Sequence, residues 1–120
     1  MYEFSENIDS YNEEYWDFKN AKNDGIHRIA NYPASMVAPM QHELLQLLVN
    51  NNPDYHKMLD PFHGSGVTLV EGQEIGLEVF GIDINSYTHI ISLTKLEKYD
   101  PKEIQKSNEV LLERIRKLKK

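Results

Sequence analysis

The stretch DPFHGSGVTLVEG, residues 60–72, decides how the rest of the chain reads. Two glycines flanking Ser65 interrupt the chain between two patterns of different period. Before them, Tyr55 to Asp60 has the length and composition of a short strand. After them, Val67 to Ile75 fits a helix that Gly76 ends as its C-cap. Glu78 to Asp83 is then a second strand, with Val79, Phe80 and Ile82 apolar. Strand, glycine turn, helix, strand is a βαβ unit, so the two strands should be parallel and the fold class α/β.

Working outward, Pro39 fits the first turn of a helix in which Met40, Leu44, Leu47 and Leu48 recur at helical spacing. Asn50-Asn51-Asn52-Pro53-Asp54 should stop it. Upstream, Asn23-Asp24-Gly25 signals a turn, and Pro33 holds Tyr32 extended. Ser10 followed by Glu13 fits a capping box, which predicts a helix from Tyr11 carrying Tyr15, Trp16 and Phe18. That helix either docks on the domain's own core or offers a surface to a partner. On the other side, Asn85 or Ser86 caps a helix expected to place Tyr87, Ile90, Ile91 and Thr94 on one face. Asp100-Pro101 opens a last helix with Ile104, Leu111, Ile115 and Leu118 on one side. The expected organisation is an acidic, aromatic N-terminal segment over 1–24, a ligand-binding βαβ domain over 25–100, and a basic C-terminal helix over 101–120.

At 120 residues, 40% hydrophobic and 27% charged, the chain has the composition of one globular domain or part of one. Without cysteine it has no disulfide, thiolate metal site or cysteine nucleophile. No apolar run approaches a membrane span and no signal peptide is evident, so a cytoplasmic location without membrane contact is expected. The net charge of −6 argues against broad, non-specific nucleic-acid binding. Seven acids and two bases fall in residues 1–24, and five bases and one acid in 113–120. The basic end complements a helix dipole or, alternatively, touches nucleic acid.

The turn carries the chemistry. Asp60 and Pro61 arrive at the C-terminal edge of the first strand, where open α/β sheets bind ligands. Gly64 and Gly66 permit a sharp bend and close approach, and the first amides of the following helix offer donors. A phosphate is a poor match. There is no P-loop lysine, Leu69 stands where a dinucleotide fingerprint needs its third glycine, and Asp60 would repel a pyrophosphate. Asp60 would instead attract an ammonium group. Asp83 ends the second strand 23 positions later, about the separation at which a carboxylate meets ribose hydroxyls. Ile84 would offer an apolar wall to an adenine. An ammonium and a ribose together describe S-adenosylmethionine. No metal is called for.

These residues resemble a known family. Asp60 to Glu71 looks like the DPFxGSGTTLxEA cofactor motif of the DNA amino-methyltransferases, which modify the exocyclic amine of adenine or cytosine. Gly81-Ile82-Asp83-Ile84-Asn85 is similar to the GxDIN that follows it there. Tyr32-Pro33-Ala34-Ser35-Met36-Val37-Ala38-Pro39 is similar to an upstream YPAxMxP segment of some members, as are Trp16-Asp17-Phe18 and His27 to residues before it. The resemblance covers roughly residues 15–98. It implies a Rossmann-like methyltransferase fold, here partial: a short parallel sheet with flanking helices, incomplete without partner strands. It further implies that Asp60, Pro61, Phe62, Gly64, Ser65, Gly66 and Thr68 surround the methionine part of S-adenosylmethionine. Asp83 would hold the ribose, Ile84 and Asn85 would flank the adenine, and Tyr32, Pro33 and Ala34 would close the pocket. Val67 replaces a common threonine. His63 replaces a small residue and reads as a solvent-facing loop histidine.

The family's catalytic [DNS]PP[YFW] motif is missing. Its nearest string, Asn52-Pro53-Asp54-Tyr55, lacks the second proline and precedes the first strand, so it reads as a helix-ending turn. No target-recognition region is visible. The expectation is therefore a cofactor-binding subunit or fragment, inactive alone, whose catalytic motif comes from a second chain and which meets DNA through the complex. Two lone parallel strands would expose an unpaired edge, which a partner, a homodimer or the remainder of a truncated chain would cover. A non-catalytic module that holds a partner, with or without cofactor, is the alternative. An RNA or small-molecule methyltransferase is a third reading.

Overall fold

The computed structural model describes residues 11–30, 32–33 and 35–118. Helix α1 (Ala38–Asn51), strand β1 (Lys57–Asp60), helix α2 (Val67–Glu74), strand β2 (Glu78–Gly81), helix α3 (Ser86–Leu96) and helix α4 (Pro101–Leu118) follow one another along the chain. The two strands are parallel, with Lys57, Met58, Leu59 and Asp60 opposite Glu78, Val79, Phe80 and Gly81. This is the βαβ unit expected from the glycine turn, with strands two residues shorter at one end than the apolar runs.

Helix α2 is the hub, packing against α1, α3 and both strands. Val67, Leu69, Val70, Glu71 and Gly72 are all buried along it. Gly72 is where the sheet comes closest: a Cβ there would stand 2.7 Å from Met58 Cε and 3.0 Å from Val79 Cγ1. The helix ends at Gly76, whose φ of +89° is left-handed. The Leu77 amide donates to the Gly72 carbonyl at 2.9 Å and the Gly76 amide to that of Gln73 at 3.0 Å, the paired bonds of a Schellman cap. The chain thereby reverses straight into β2.

Helix α1 is capped from a distance. Asn23 Oδ1 accepts from the Ala38 amide at 2.8 Å while its Nδ2 donates to the Met36 carbonyl at 3.0 Å. At the far end, Asn51 and Asn52 donate from their side chains to the carbonyls of Leu47 and Leu48. These bonds satisfy carbonyls that a helix end leaves open.

Two local expectations are corrected. The N-terminal segment is no α-helix from Tyr11: it forms one 3-10 turn, Glu13–Trp16, capped by Asn12 Oδ1 to the Tyr15 amide at 2.9 Å. Ser10 lies outside the described residues. Aromatic side chains favour stacking over helix here, and the rings of Tyr11 and Tyr15 sit 4.3 Å apart. The Tyr15 hydroxyl donates to the Glu43 carboxylate on α1, so this segment docks on its own domain. That bond pushes the Tyr15 pKa up to about 12. On α3, the buried face is Thr88, Ile91, Ser92 and Lys95, and Tyr87 and Ile90 are exposed. Ser92 stands where α3 comes closest to the start of α2, with a Cβ added at Gly66 only 2.6 Å from its own Cβ.

Leu59 and Phe80, opposite each other on the sheet face away from α2, are 59% and 47% exposed. Helix α4 begins at Pro101, with Asp100 Oδ1 accepting from the Lys102 amide, and is exposed along its whole length. It projects from the body, and the molecule's longest extent is 66 Å. The radius of gyration is 18.3 Å, against about 13.6 Å for a compact domain of this length. No described helix is long and apolar enough to cross a membrane.

Candidate cofactor site at the glycine turn

The site begins where β1 and β2 end. The pairing runs past the strands: the Ile82 amide donates to the Asp60 carbonyl at 2.9 Å, and the His63 amide to the Ile82 carbonyl at 3.3 Å. Asp60 and Asp83 therefore sit at adjacent strand tips. Asp60 Oδ1 accepts from the Phe62 amide at 3.0 Å, which shapes the turn and leaves its second oxygen uncommitted. Asp83 reaches across the turn. Its Oδ2 accepts from the Gly64 amide at 2.9 Å and its Oδ1 from the Asn85 amide at 2.8 Å. The Asn85 amide foremost, then that of Gly64, hold its carboxyl below the usual carboxylate range, and partial desolvation opposes them. Asp83 is thus a fixed carboxylate that couples the turn to the start of α3. Each of its oxygens keeps a lone pair for a further donor.

The two turn glycines serve different ends. Gly64 has φ +50°, and a Cβ there would lie 3.5 Å from Tyr32 Cε1, an ordinary contact. Gly66 has φ +76°, and a Cβ would stand 2.6 Å from Ser92 Cβ. The expectation that Gly66 clears room for a ligand is corrected: its open side is filled by α3. His63 is also corrected, from a solvent-facing side chain to one that is 6% exposed. Its Nδ1 lies 2.9 Å from the Gly64 carbonyl. Its ring lies so close to Gly81 that a Cβ there would be 2.7 Å away. A small residue at the end of β2 makes room for the ring.

Above the turn stand Tyr32, Ser35 and Met36. Ser35 Oγ donates to the Tyr32 carbonyl at 2.9 Å and lies 3.0 Å from Ser65 Oγ. A small cleft of about 80 Å³ results, lined by Tyr32, Ser35, Met36, Asp60, Phe62, His63, Gly64, Ser65, Val67 and Thr68. Six expected site residues are thus brought together: Tyr32, Asp60, Phe62, Gly64, Ser65 and Thr68. Asp83 adjoins them through Gly64. Pro33, Pro61 and Ile84 stand at the exposed margin, Gly66 is buried beneath, and Ala34 lies outside the described residues. Asn85 acts as the cap of α3, accepting from the Tyr87 amide at 3.0 Å. Ser35, Met36, His63 and Val67 line the cleft without having been among the expected cofactor-binding residues. Ser35 had a signal, since it sits within the quoted Tyr32 to Pro39 segment.

The cleft is smaller than the ~300 Å³ at which small-molecule pockets begin, and one flank is open. Phe62 is 87% exposed and Ile84 fully so. Two apolar side chains thus stand bare beside a polar turn. Asn52-Pro53-Asp54-Tyr55, by contrast, forms the turn after α1, with the Tyr55 amide donating to the Asn52 carbonyl at 3.0 Å. It precedes β1, at the strand end opposite the cleft.

Three curated proteins share this region. A Type II methyltransferase of Kocuria varians, M.MvaI, is 36% identical over 97 residues, which are 80% of this chain and 21% of that protein. M.MjaII of Methanocaldococcus jannaschii is 45% identical over 62 residues, 52% of this chain and 11% of its own length. M.BsoBI of Geobacillus stearothermophilus is 28% identical over 85 residues, 71% and 16% respectively. The chain thus spans about a fifth or less of the curated relatives it matches. No family model and no solved structure matches it. By sequence the chain is similar to one segment of these Type II methyltransferases.

Proposed function

We propose that this chain is the S-adenosylmethionine-binding part of a DNA amino-methyltransferase, and that the catalytic motif and target-recognition region lie on other polypeptide. The observation that carries this reading is the pair of carboxylates at adjacent strand tips around the Gly64–Gly66 bend, with Asp83 anchored to the Gly64 amide. The residues fit the cofactor in part. Asp60 has a carboxylate oxygen for an ammonium group. Asp83 has lone pairs for ribose hydroxyls, and Ile84 an open apolar face for adenine. When bound, S-adenosylmethionine supplies an electrophilic methyl group. The residues here bind and orient it, and the acceptor amine would be positioned by the missing part. The small cleft and its open flank agree with a site whose second wall comes from elsewhere.

Reconstitution tests this. Alone, the chain should show no methyl transfer to DNA. Mixed with the polypeptide that carries an [DNS]PP[YFW] motif and lacks its own glycine turn, it should transfer methyl groups to an adenine or cytosine amine. Activity of that polypeptide without this chain would refute the division of labour. The projecting helix α4 favours a second reading, a non-catalytic module that holds a partner. In that case the reconstituted pair would form but remain inactive.

A further inference from the structure

Beyond the turn, one buried cluster has no part in the site as described. Glu71, on α2, is bonded by two histidines from different elements. Its Oε1 lies 2.8 Å from His27 Nε2, and its Oε2 lies 2.7 Å from His42 Nδ1. The side chains of His27 and Glu71 are 6% and 12% exposed, and His42 is open to solvent at 39%. His27 Nδ1 is buried with no hydrogen-bond partner.

A carboxylate only accepts, so His27 Nε2 and His42 Nδ1 each carry hydrogen. A proton on His27 Nδ1 would be a buried, unpaired donor, costing about 1–3 kcal/mol. His27 therefore carries a hydrogen on Nε2, facing Glu71. His27 belongs to the 3-10 turn Gly25–Arg28, and the chain runs from there to Tyr32 and Ser35, which wall the cleft. Glu71 lies one helical turn beyond the Val67–Thr68 end that forms the opposite wall.

We propose that Glu71 is a positioning residue, which through His27 sets Tyr32 and Ser35 against the Gly64–Ser65 turn. His42 serves the second oxygen and ties α1 to the same point. The effect on cofactor binding rests on the function proposed above; the positioning itself does not.

The test uses the full chain at mildly alkaline pH, where imidazole nitrogens are read by two-bond proton–nitrogen NMR. Wild type should show His27 protonated on Nε2 and His42 on Nδ1, with a cross-peak between the Tyr32 ring and Gly64. In Glu71→Ala, that cross-peak should vanish and the Ala38 amide should exchange about tenfold faster, with β1 and β2 amides unchanged. Glu71→Gln distinguishes positioning from bulk stability. Its amide oxygen should accept from His27 and its amide nitrogen donate to His42, whose proton moves to the water-facing Nε2. The Tyr32–Gly64 cross-peak should then survive. An unaltered cross-peak in Glu71→Ala, or its loss in Glu71→Gln with the His42 proton moved to Nε2, would overturn the proposal. If a tenth of molecules keep the wall in place, S-adenosylmethionine affinity in Glu71→Ala falls about tenfold. Absent affinity in wild type with the NMR outcomes intact would sink the cofactor reading and leave the clamp standing.

Discussion

Gly64 and Gly66 stand two residues apart and answer to different neighbours. At Gly64 an added methyl meets only the Tyr32 ring at ordinary distance, so Gly64→Ala should cost about 1–2 kcal/mol for its left-handed backbone. At Gly66 the same strain is joined by a 2.6 Å approach to Ser92, and overpacking adds about 1–3 kcal/mol. Urea denaturation should therefore rank Gly66→Ala clearly below Gly64→Ala, and equal midpoints would contradict the close packing of α3 on the turn. Asp83 yields a pH prediction. Its folded-state carboxyl titrates below the ordinary 3.8, so its contribution is full above that value and lost as pH falls through the lowered one. In acid titrations, the Gly64 amide signal should shift only below pH 3.8, and a midpoint above it would remove the bond from Asp83. Both the turn and the aspartate were legible as residue types at a spacing. That Asp83 spends part of its accepting capacity on the protein was not, because the bond joins positions 19 apart.

At the scale of the elements, α2 explains why so short a chain holds together. One helix touches both strands and two other helices, and its Schellman end places β2 in register with β1. Its start and its glycine stop were readable from local chemistry. The inward face of α3 was not. Periodicity of Tyr87, Ile90, Ile91 and Thr94 suggested one face, yet of these the helix buries only Ile91 fully, beside Thr88, Ser92 and Lys95, with Ser92 set against Gly66. The clamp of His27, Glu71 and His42 was equally hidden, joining residues 44 and 29 positions apart. Lys95 has a consequence of its own. It is 6% exposed, no described side chain pairs with it, and burial lowers its pKa. The unfolded chain then binds more protons between the lowered value and 10.5, so stability rises with pH across that window. Lys95→Met should raise stability by about 1 kcal/mol at neutral pH, seen as a higher melting temperature. A lower one would mean that the ammonium group is satisfied.

For the whole molecule, the informative surfaces are the ones left bare. A two-stranded sheet is marginal by itself, and here one of its faces shows Leu59 and Phe80 to solvent. Helix α4 projects without an element packed along it, so removing residues 100–120 should leave the melting temperature of the rest nearly unchanged. A loss of more than about 2 kcal/mol, on the scale of burying a large apolar side chain, would place α4 against the body. That the sheet would be short and open was legible from two strand patterns in 120 residues. The measurement that bears most directly on the central claim is calorimetric titration of S-adenosylmethionine into the chain, with and without the polypeptide bearing the catalytic motif, for wild type and Asp83→Ala. The account predicts saturable one-to-one binding, tighter in the complex and weakened about tenfold or more by the substitution. Heats unchanged by Asp83→Ala, or no binding even in the complex, would contradict it.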